Sequence, residues 1–330
     1  MSIILADIFA DGAVFQAGKP IRIFGQAYGE AELTFDGETK KINANGNFCA
    51  EFSARPYGGP YELFLRSRSE EKVYKNIFVG EVLLLAGQSN IAFKLKNSSF
   101  PKESYESEPR LRCFCGGLHE TEHSFPPKDG WVTCKEETAG NFSAIGYHIG
   151  QRLCKEKGIA VGLIACYLGS TVIESWIPAE IGSREEFYLP PEEKYDSPYV
   201  RGDYNRYGAM YGLKIKSVAP FSVGNVIWYQ GESNTGKSEH KIYTKLLCEL
   251  IECWRNDFLD PSLPFTVVQI ANWDARDDEA WHGIQAAQAK ITELSDNTAV
   301  IPSFDVCETN DIHPPTKLAL ADRICEALLH

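Results

Sequence analysis

The feature that most constrains this chain is a change of hydrophobic pattern near Val79. Before it, short runs alternate apolar with polar residues: IRIFGQ, AELTFDG, KKINA, FCAEFSA and YELFLRS, broken by Gly, Asn and Pro. A period of two belongs to strands with one buried face. Asn45-Gly46, inside INANGNFCAEF, has the composition of a two-residue hairpin turn, so a hairpin is predicted there. No amphipathic run of helical length precedes Lys75. After Val79 the apolar runs become continuous and end in small or polar residues: GEVLLLAGQSN, VGLIACYL, VGNVIWYQ, FTVVQI and AVIPSFD. Such runs suit strands buried on both faces of a parallel sheet. Helical patterns lie between them: FSAIGYHIGQRLCKEKG, YGAMYGLKIKSVA, EHKIYTKLLCELIECWRNDF, AWHGIQAAQAKITELS and PTKLALADRICEALL. Repeated alternation of strand and helix predicts an α/β domain over 80–330, preceded by a small β-sandwich-like module over 1–79.

Composition narrows the function classes. With 33 basic and 45 acidic residues the net charge is −12. That leaves no basic footprint for nucleic acid and disfavours anionic membranes. No stretch approaches the roughly 18 apolar residues of a membrane span. The opening MSIILADIFADGAVFQ has acidic residues and no basic n-region, unlike a signal peptide. Ten scattered cysteines in a chain of 330 residues suit buried free thiols in a reducing compartment, so a cytoplasmic location is expected.

Ligands of open α/β sheets bind beyond the carboxyl ends of the strands, so reactive groups are expected there. Those ends carry Gly87-Gln88-Ser89-Asn90, then Gly169-Ser170-Thr171, then Gln230-Gly231-Glu232-Ser233-Asn234, then Asp305 and Asp311-Ile312-His313-Pro314. A serine hydroxyl becomes a nucleophile when an imidazole takes its proton, and a carboxylate can fix that imidazole's tautomer. Ser89, His313 and Asp311 can fill these roles. The oxyanion of acyl transfer needs N–H donors, and the backbone of Ser89 and Gly169 with the Gln230 amide can supply them. Glu232, Asn234 and Asp305 are candidate supporting residues; Glu232 either helps position substrate or a neighbouring strand end, or is a structural carboxylate capping the next helix.

The segments GQSN (87–90), FSAIGYHIG (142–150), GLIACYLGSTVIESW (162–176), WYQGESN (228–234) and DIHPPTK (311–317) resemble the block motifs of the sialate O-acetylesterase family. This is a branch of the SGNH-hydrolase carbohydrate esterases that includes acetylxylan esterases. DGAVFQAGKPIRIFG and GGPYEL resemble that family's opening module. The resemblance implies a flavodoxin-like, three-layer α/β/α fold and metal-free, cofactor-free serine deacetylation of O-acetylated sugars. Ser89 matches the nucleophile, His313 the base, Gly169 and Gln230 the oxyanion positions. The wider pattern places the acid three residues before the histidine, but here Asn310 stands there. Asp311, Asp305, Glu308 or a backbone carbonyl therefore remains open as the group that orients His313. Ile91 stands where a methionine is common, an apolar swap of the tolerated kind.

Other patterns compete. Cys113 and Cys115 with His119 and His123 suggest zinc, yet Cys-x-Cys lacks the usual knuckle spacing and places both thiols on one strand face. Cys166 sits mid-run and reads as core. The long segment from Pro178 to Tyr207 carries Tyr188, Tyr195, Tyr199, Tyr204 and Tyr207, suited either to stacking on sugar or to pinning the loop. A non-catalytic carbohydrate-binding protein and a short-acyl lipase or thioesterase are the alternative functions. The polar loop favours a sugar over an acyl chain.

Overall fold

The structure, a computed structural model, describes residues 3–68, 70–117, 130–200 and 202–329. Its strands are β1 (Ile3–Leu5), β2 (Val14–Gln16), β3 (Ile21–Phe35), β4 (Glu38–Phe52), β5 (Gly58–Ser67) and β6 (Glu71–Gly87). There follow β7 (Glu108–Cys115), β8 (Val132–Cys134), β9 (Val161–Tyr167), β10 (Asn225–Tyr229), β11 (Phe265–Val268) and β12 (Thr298–Ile301). The helices are α1 (Ser89–Ala92), α2 (Glu136–Ala139), α3 (Ala144–Lys157) and α4 (Ala179–Gly182), then α5 (His240–Asp257), α6 (Glu279–Ala289), α7 (Ile291–Leu294) and α8 (Leu318–Leu329).

Alternation builds the first part as read. In β3 the side chains of Ile21, Ile23, Ala27, Ala31, Leu33 and Phe35 are buried while their neighbours face outward. The predicted hairpin at Asn45-Gly46 is not there. Both residues lie inside β4, paired with Tyr28 and Ala27. The turn is Asp36-Gly37, between paired Phe35 and Glu38, and both of its residues have positive φ (46° and 76°). A two-residue turn of that kind matches the strand twist, and this register puts the β3 apolar set on one face. The segment YGAMYGLKIKSVA also departs from prediction, forming only a π-helical turn at Tyr211–Ile215.

The boundary expected at residue 79 falls within β6, which spans 71–87 without a break. Its first half pairs with β5 and β2, its second half with β9 and β10. Around that second half the parallel strands run β7-β9-β6-β10-β11-β12, with β8 antiparallel at the β7 edge. Counting β6 as the first, the strands β9-β6-β10-β11-β12 follow the order 2-1-3-4-5, whose direction reverses between β6 and β10. The predicted runs in β9 and β11 are buried on both faces, whereas β12, from the run AVIPSFD, is half-buried except at Ile301. Helices pack as two pairs, α3 with α8 and α5 with α6. Trp176, Trp228 and Trp254 pack together with ring centroids 5.8–6.4 Å apart. Their indoles bring large apolar area to the interior beneath the strand ends.

Candidate active site

The site forms where strand order reverses. β6 ends at Gly87, whose φ is +128° and where a Cβ would lie 2.1 Å from the Tyr229 carbonyl oxygen of β10. Only glycine allows that approach. Gln88 then turns inward, its Oε1 accepting from the N–H groups of Gly231 (3.4 Å) and Ser233 (3.2 Å). Ser89 follows as the first residue of α1. The segment after β12 carries His313 to it, and Nε2 lies 2.8 Å from Ser89 Oγ. That is hydrogen-bond distance for a nucleophile and its base. Phe93 stacks on the imidazole, with centroids 6.2 Å and planes 25° apart.

Burial and the positive charge of Lys317 hold the His313 pKa below its usual value, with Asp311 opposing. A neutral imidazole is the form that can accept a proton.

The carboxylates stand elsewhere than on the ring. Asp311 Oδ1 accepts from the backbone N–H of His313 (2.8 Å), an Asx turn. Asp305 is paired with both terminal nitrogens of Arg323 (2.6 and 2.8 Å). Glu308 accepts from the backbone N–H of Thr316 and from its hydroxyl. Asp311 therefore shapes the loop rather than bonding the imidazole, and Asp305 braces α8.

Gln230 also differs from expectation. It is 0% exposed, and its Nε2 lies within hydrogen-bond reach of Thr171 O (2.9 Å), Asn234 Oδ1 (2.8 Å) and Gln88 Oε1 (3.2 Å). Its Oε1 accepts from Tyr243 (2.8 Å). Two amide hydrogens already serve three acceptors, so none is left for an oxyanion. Gln230 ties three strand ends together instead. The Ser89 and Gly169 N–H groups differ: among the described residues neither has an acceptor. Gly169 is next to the nucleophile, since a Cβ on it would lie 3.7 Å from that of Ser89.

Polar side chains around the site hold these parts, Asn234 and Glu232 among the expected ones and Asn205 and Glu239 beyond them. Asn205, from the long loop, donates to Ser170 O (2.9 Å) and accepts from Val172 N–H (2.8 Å). It clamps the turn after Gly169, where Ser170 has a φ of +59°, uncommon for a residue with a side chain. Asn234 accepts from Ile173 N–H (2.9 Å) and donates to Glu174 Oε2 (2.9 Å). Glu239, pushed up to about 7 by burial and by Glu174, takes N–H bonds from Tyr195 and Gly236 and so anchors the loop. Glu232 caps no long helix; its Oε1 accepts from Asn90 (2.6 Å). Asparagines in loops carry no spacing signal, which is why Asn205 was invisible, whereas Asn90 lies within GQSN.

Beside the clamped turn a groove of about 550 Å³ is lined by Val172, Glu174, Lys194, Asn205, Arg206 and Tyr207. Tyr199 is 81% exposed, and Tyr188, Tyr204 and Tyr207 are also exposed, while Tyr195 lies under the Arg276 guanidinium. Of the zinc candidates, Cys113 and Cys115 are buried in β7, and His119 and His123 lie outside the described residues. Among the described residues no group of three or more His, Cys, Asp or Glu is arranged to hold a metal ion. Cys166 is buried, its thiol pushed up to about 12, so it reads as core.

A serine and a histidine meeting beyond a 2-1-3-4-5 sheet define a mixed α/β protein of SGNH-hydrolase-like fold. The family model described as carbohydrate esterase, sialic acid-specific acetylesterase, matches residues 79–329, and the chain belongs to that family. Sialate O-acetylesterase of Mus musculus is 23% identical over 325 residues, covering 81% of this chain and 60% of that one. The Homo sapiens enzyme is 24% identical over 302 residues, covering 81% and 57%. The chain thus spans about 60% of the length of these curated relatives. A carbohydrate acetylesterase from Xanthomonas citri superposes with a TM-score of 0.86 at 26% identity, covering all of this chain and 75% of that one. A protein of Arabidopsis thaliana, 19% identical with a TM-score of 0.50, shares the fold over 76% of this chain.

Proposed function

We propose that this protein removes acetyl groups from O-acetylated carbohydrates through a serine acyl-enzyme. The observation that carries the reading is the 2.8 Å contact of His313 Nε2 with Ser89 Oγ, beside the N–H groups of Ser89 and Gly169, which have no acceptor among the described residues. In the first half-reaction His313 takes the Ser89 proton as Oγ attacks the acetyl carbon. The oxyanion forms against the two backbone N–H groups, each such donor being worth about 10²–10³ in rate. His313 then protonates the departing sugar oxygen. In the second half-reaction His313 deprotonates a water that attacks the acyl-enzyme, and acetate leaves with the proton returned to Ser89.

The sugar is read into the groove beside Asn205, with the exposed tyrosines of the long loop offered to its rings. The relatives' names point to acetylated sialic acid, and acetylated xylo-oligosaccharide suits the same groove. The finer fold reading is a three-layer α/β/α catalytic part with a β-sandwich-like module on its N-terminal side. A cytoplasmic location is supported by ten free cysteines.

The test is acetate release by wild type and Ser89→Ala from acetylated xylo-oligosaccharides, O-acetyl sialic acid and an aryl acetate. Loss of all turnover in a folded Ser89→Ala protein, with one sugar preferred by wild type, is the expected result. Turnover retained by Ser89→Ala would sink the mechanism.

A further inference from the structure

Beneath the Ser89–His313 contact lies a row of buried polar side chains that the proposed mechanism does not use. Asn90 directly follows the nucleophile, and Ile312 directly precedes the histidine. Asn90 Nδ2 donates to the Ile312 carbonyl (3.0 Å) and to Glu232 Oε1 (2.6 Å), while its Oδ1 accepts from Lys317 Nζ (2.7 Å). The amide can point only this way, because a carbonyl only accepts and an ammonium only donates. Asn90, Lys317 and Glu232 are 1%, 1% and 3% exposed. From its place just after β6 the one side chain therefore reaches the end of β10 and the segment after β12.

We infer that Asn90, Lys317 and Glu232 form a bridge that holds the His313 loop in register with the Ser89 turn, Asn90 and Lys317 acting as positioning residues. The inference rests on the hydrolase reading of Ser89 and His313. An ammonium and a carboxylate in a dry interior are a costly pair, better suited to specifying one arrangement than to adding stability. Here the amide stands between them with its carbonyl end toward the cation and its NH₂ end toward the anion, so both charges favour its orientation. Removal of Asn90 would leave the Ile312 carbonyl without that donor and free the loop to slide. Lys317 has a second effect. Its Nζ sits 5.1 Å from the centroid of the Phe93 ring, which stacks on His313. The charged and titratable groups facing Lys317 are Cys307, Glu232, Glu308 and Asp311, and those facing His313 are Lys317 and Asp311. Of the described groups facing the imidazole, only Lys317 is cationic, so it disfavours the protonated ring.

Two measurements test the bridge on the intact protein. The first is the His313 imidazole titration by NMR in wild type and in Lys317→Met/Glu232→Gln, a double variant that leaves no lone buried charge. The His313 pKa is expected to rise, because a nearby positive charge has gone. The second is Asn90→Ala, checked for folding by near-UV circular dichroism, with fluorophosphonate labelling of Ser89 and aryl acetate kinetics. Labelling rate and kcat are expected to fall about 10²-fold with KM unchanged, the loss that follows a misplacement near 1 Å. An unchanged His313 titration, or a folded Asn90→Ala protein with wild-type labelling and kcat, overturns the bridge. Failure of wild type to label and to hydrolyse overturns the hydrolase reading instead, and the titration then decides the bridge alone.

Discussion

At the residue scale the question is what His313 needs besides Ser89. Asp311 is the nearest acid in sequence, yet its Oδ1 accepts from the His313 backbone N–H and not from the ring. A triad carboxylate is worth about 10⁴ in kcat when its charge is removed by an amide. Asp311→Asn keeps an oxygen for the same N–H, so the expected loss in acetate release is below about tenfold, measured as kcat on the preferred ester; a loss near 10⁴ would place Asp311 on the ring. The pH profile follows from the histidine itself. Only neutral His313 accepts the Ser89 proton, and burial with Lys317 pulls its pKa below the usual 6.5. Activity should therefore fall toward acid through an apparent pKa below 6.5, read from kcat/KM against pH. The serine, the histidine and the small residue at 169 were legible because strand-end position and residue type together signal the chemistry. Gln230 was misread for a physical reason: its amide looks like a donor on paper, but burial demands that its N–H groups be satisfied internally.

At the scale of elements, the turn after β9 and the long loop depend on each other. Asn205 spans Ser170 O and Val172 N–H and so fixes where the Gly169 N–H points. Asn205→Ala is expected to lower kcat about tenfold, less than the 10²–10³ for deletion of an oxyanion donor, with the fold retained. The same kcat in a stopped-flow burst with an aryl acetate would show that the clamp does not act on the turn. Gly87→Ala tests the crossing of β6 and β10. A methyl group 2.1 Å from Tyr229 O, at a φ of +128°, forces the strands apart. The expected loss exceeds the ~1–3 kcal/mol typical of backbone strain at one residue, visible as a lower midpoint in urea. Element type followed from the amphipathic period in α5 and from the continuous apolar run in β9, but not over YGAMYGLKIKSVA. The hairpin was not, since Asn45-Gly46 and Asp36-Gly37 offer the same local chemistry and only the pairing of β3 with β4 chooses between them.

At the scale of the molecule, β6 joins what the sequence divides. The Trp131 indole donates to Ile8 O (2.9 Å), Arg112 donates to Gly12 O (2.8 Å), and Lys19 pairs with Asp260 (2.7 Å). Phe9 and Phe15 each pack on Phe221 with centroids 5.8 Å apart. A chain restarted at residue 80 would lose half of β6 and expose this seam. It is expected to be recovered as aggregate, whereas the full chain should unfold in one cooperative step by calorimetry; a soluble, active 80–330 fragment would mean the two parts fold apart. The sequence by itself determined most kinds of element, the central buried strands and the residues with reactive side chains, because these depend on local periodicity and on chemistry each residue carries alone. That Asp311 bonds the His313 backbone and not its ring, that the Gln230 amide is engaged internally, where the hairpin turns and what Asn90, Asn205 and Lys317 hold were decided only by the tertiary structure. Hydrogen bonds between residues more than two hundred positions apart, such as Lys317 to Asn90, depend on where the sheet brings the chain back. No local pattern records that distance.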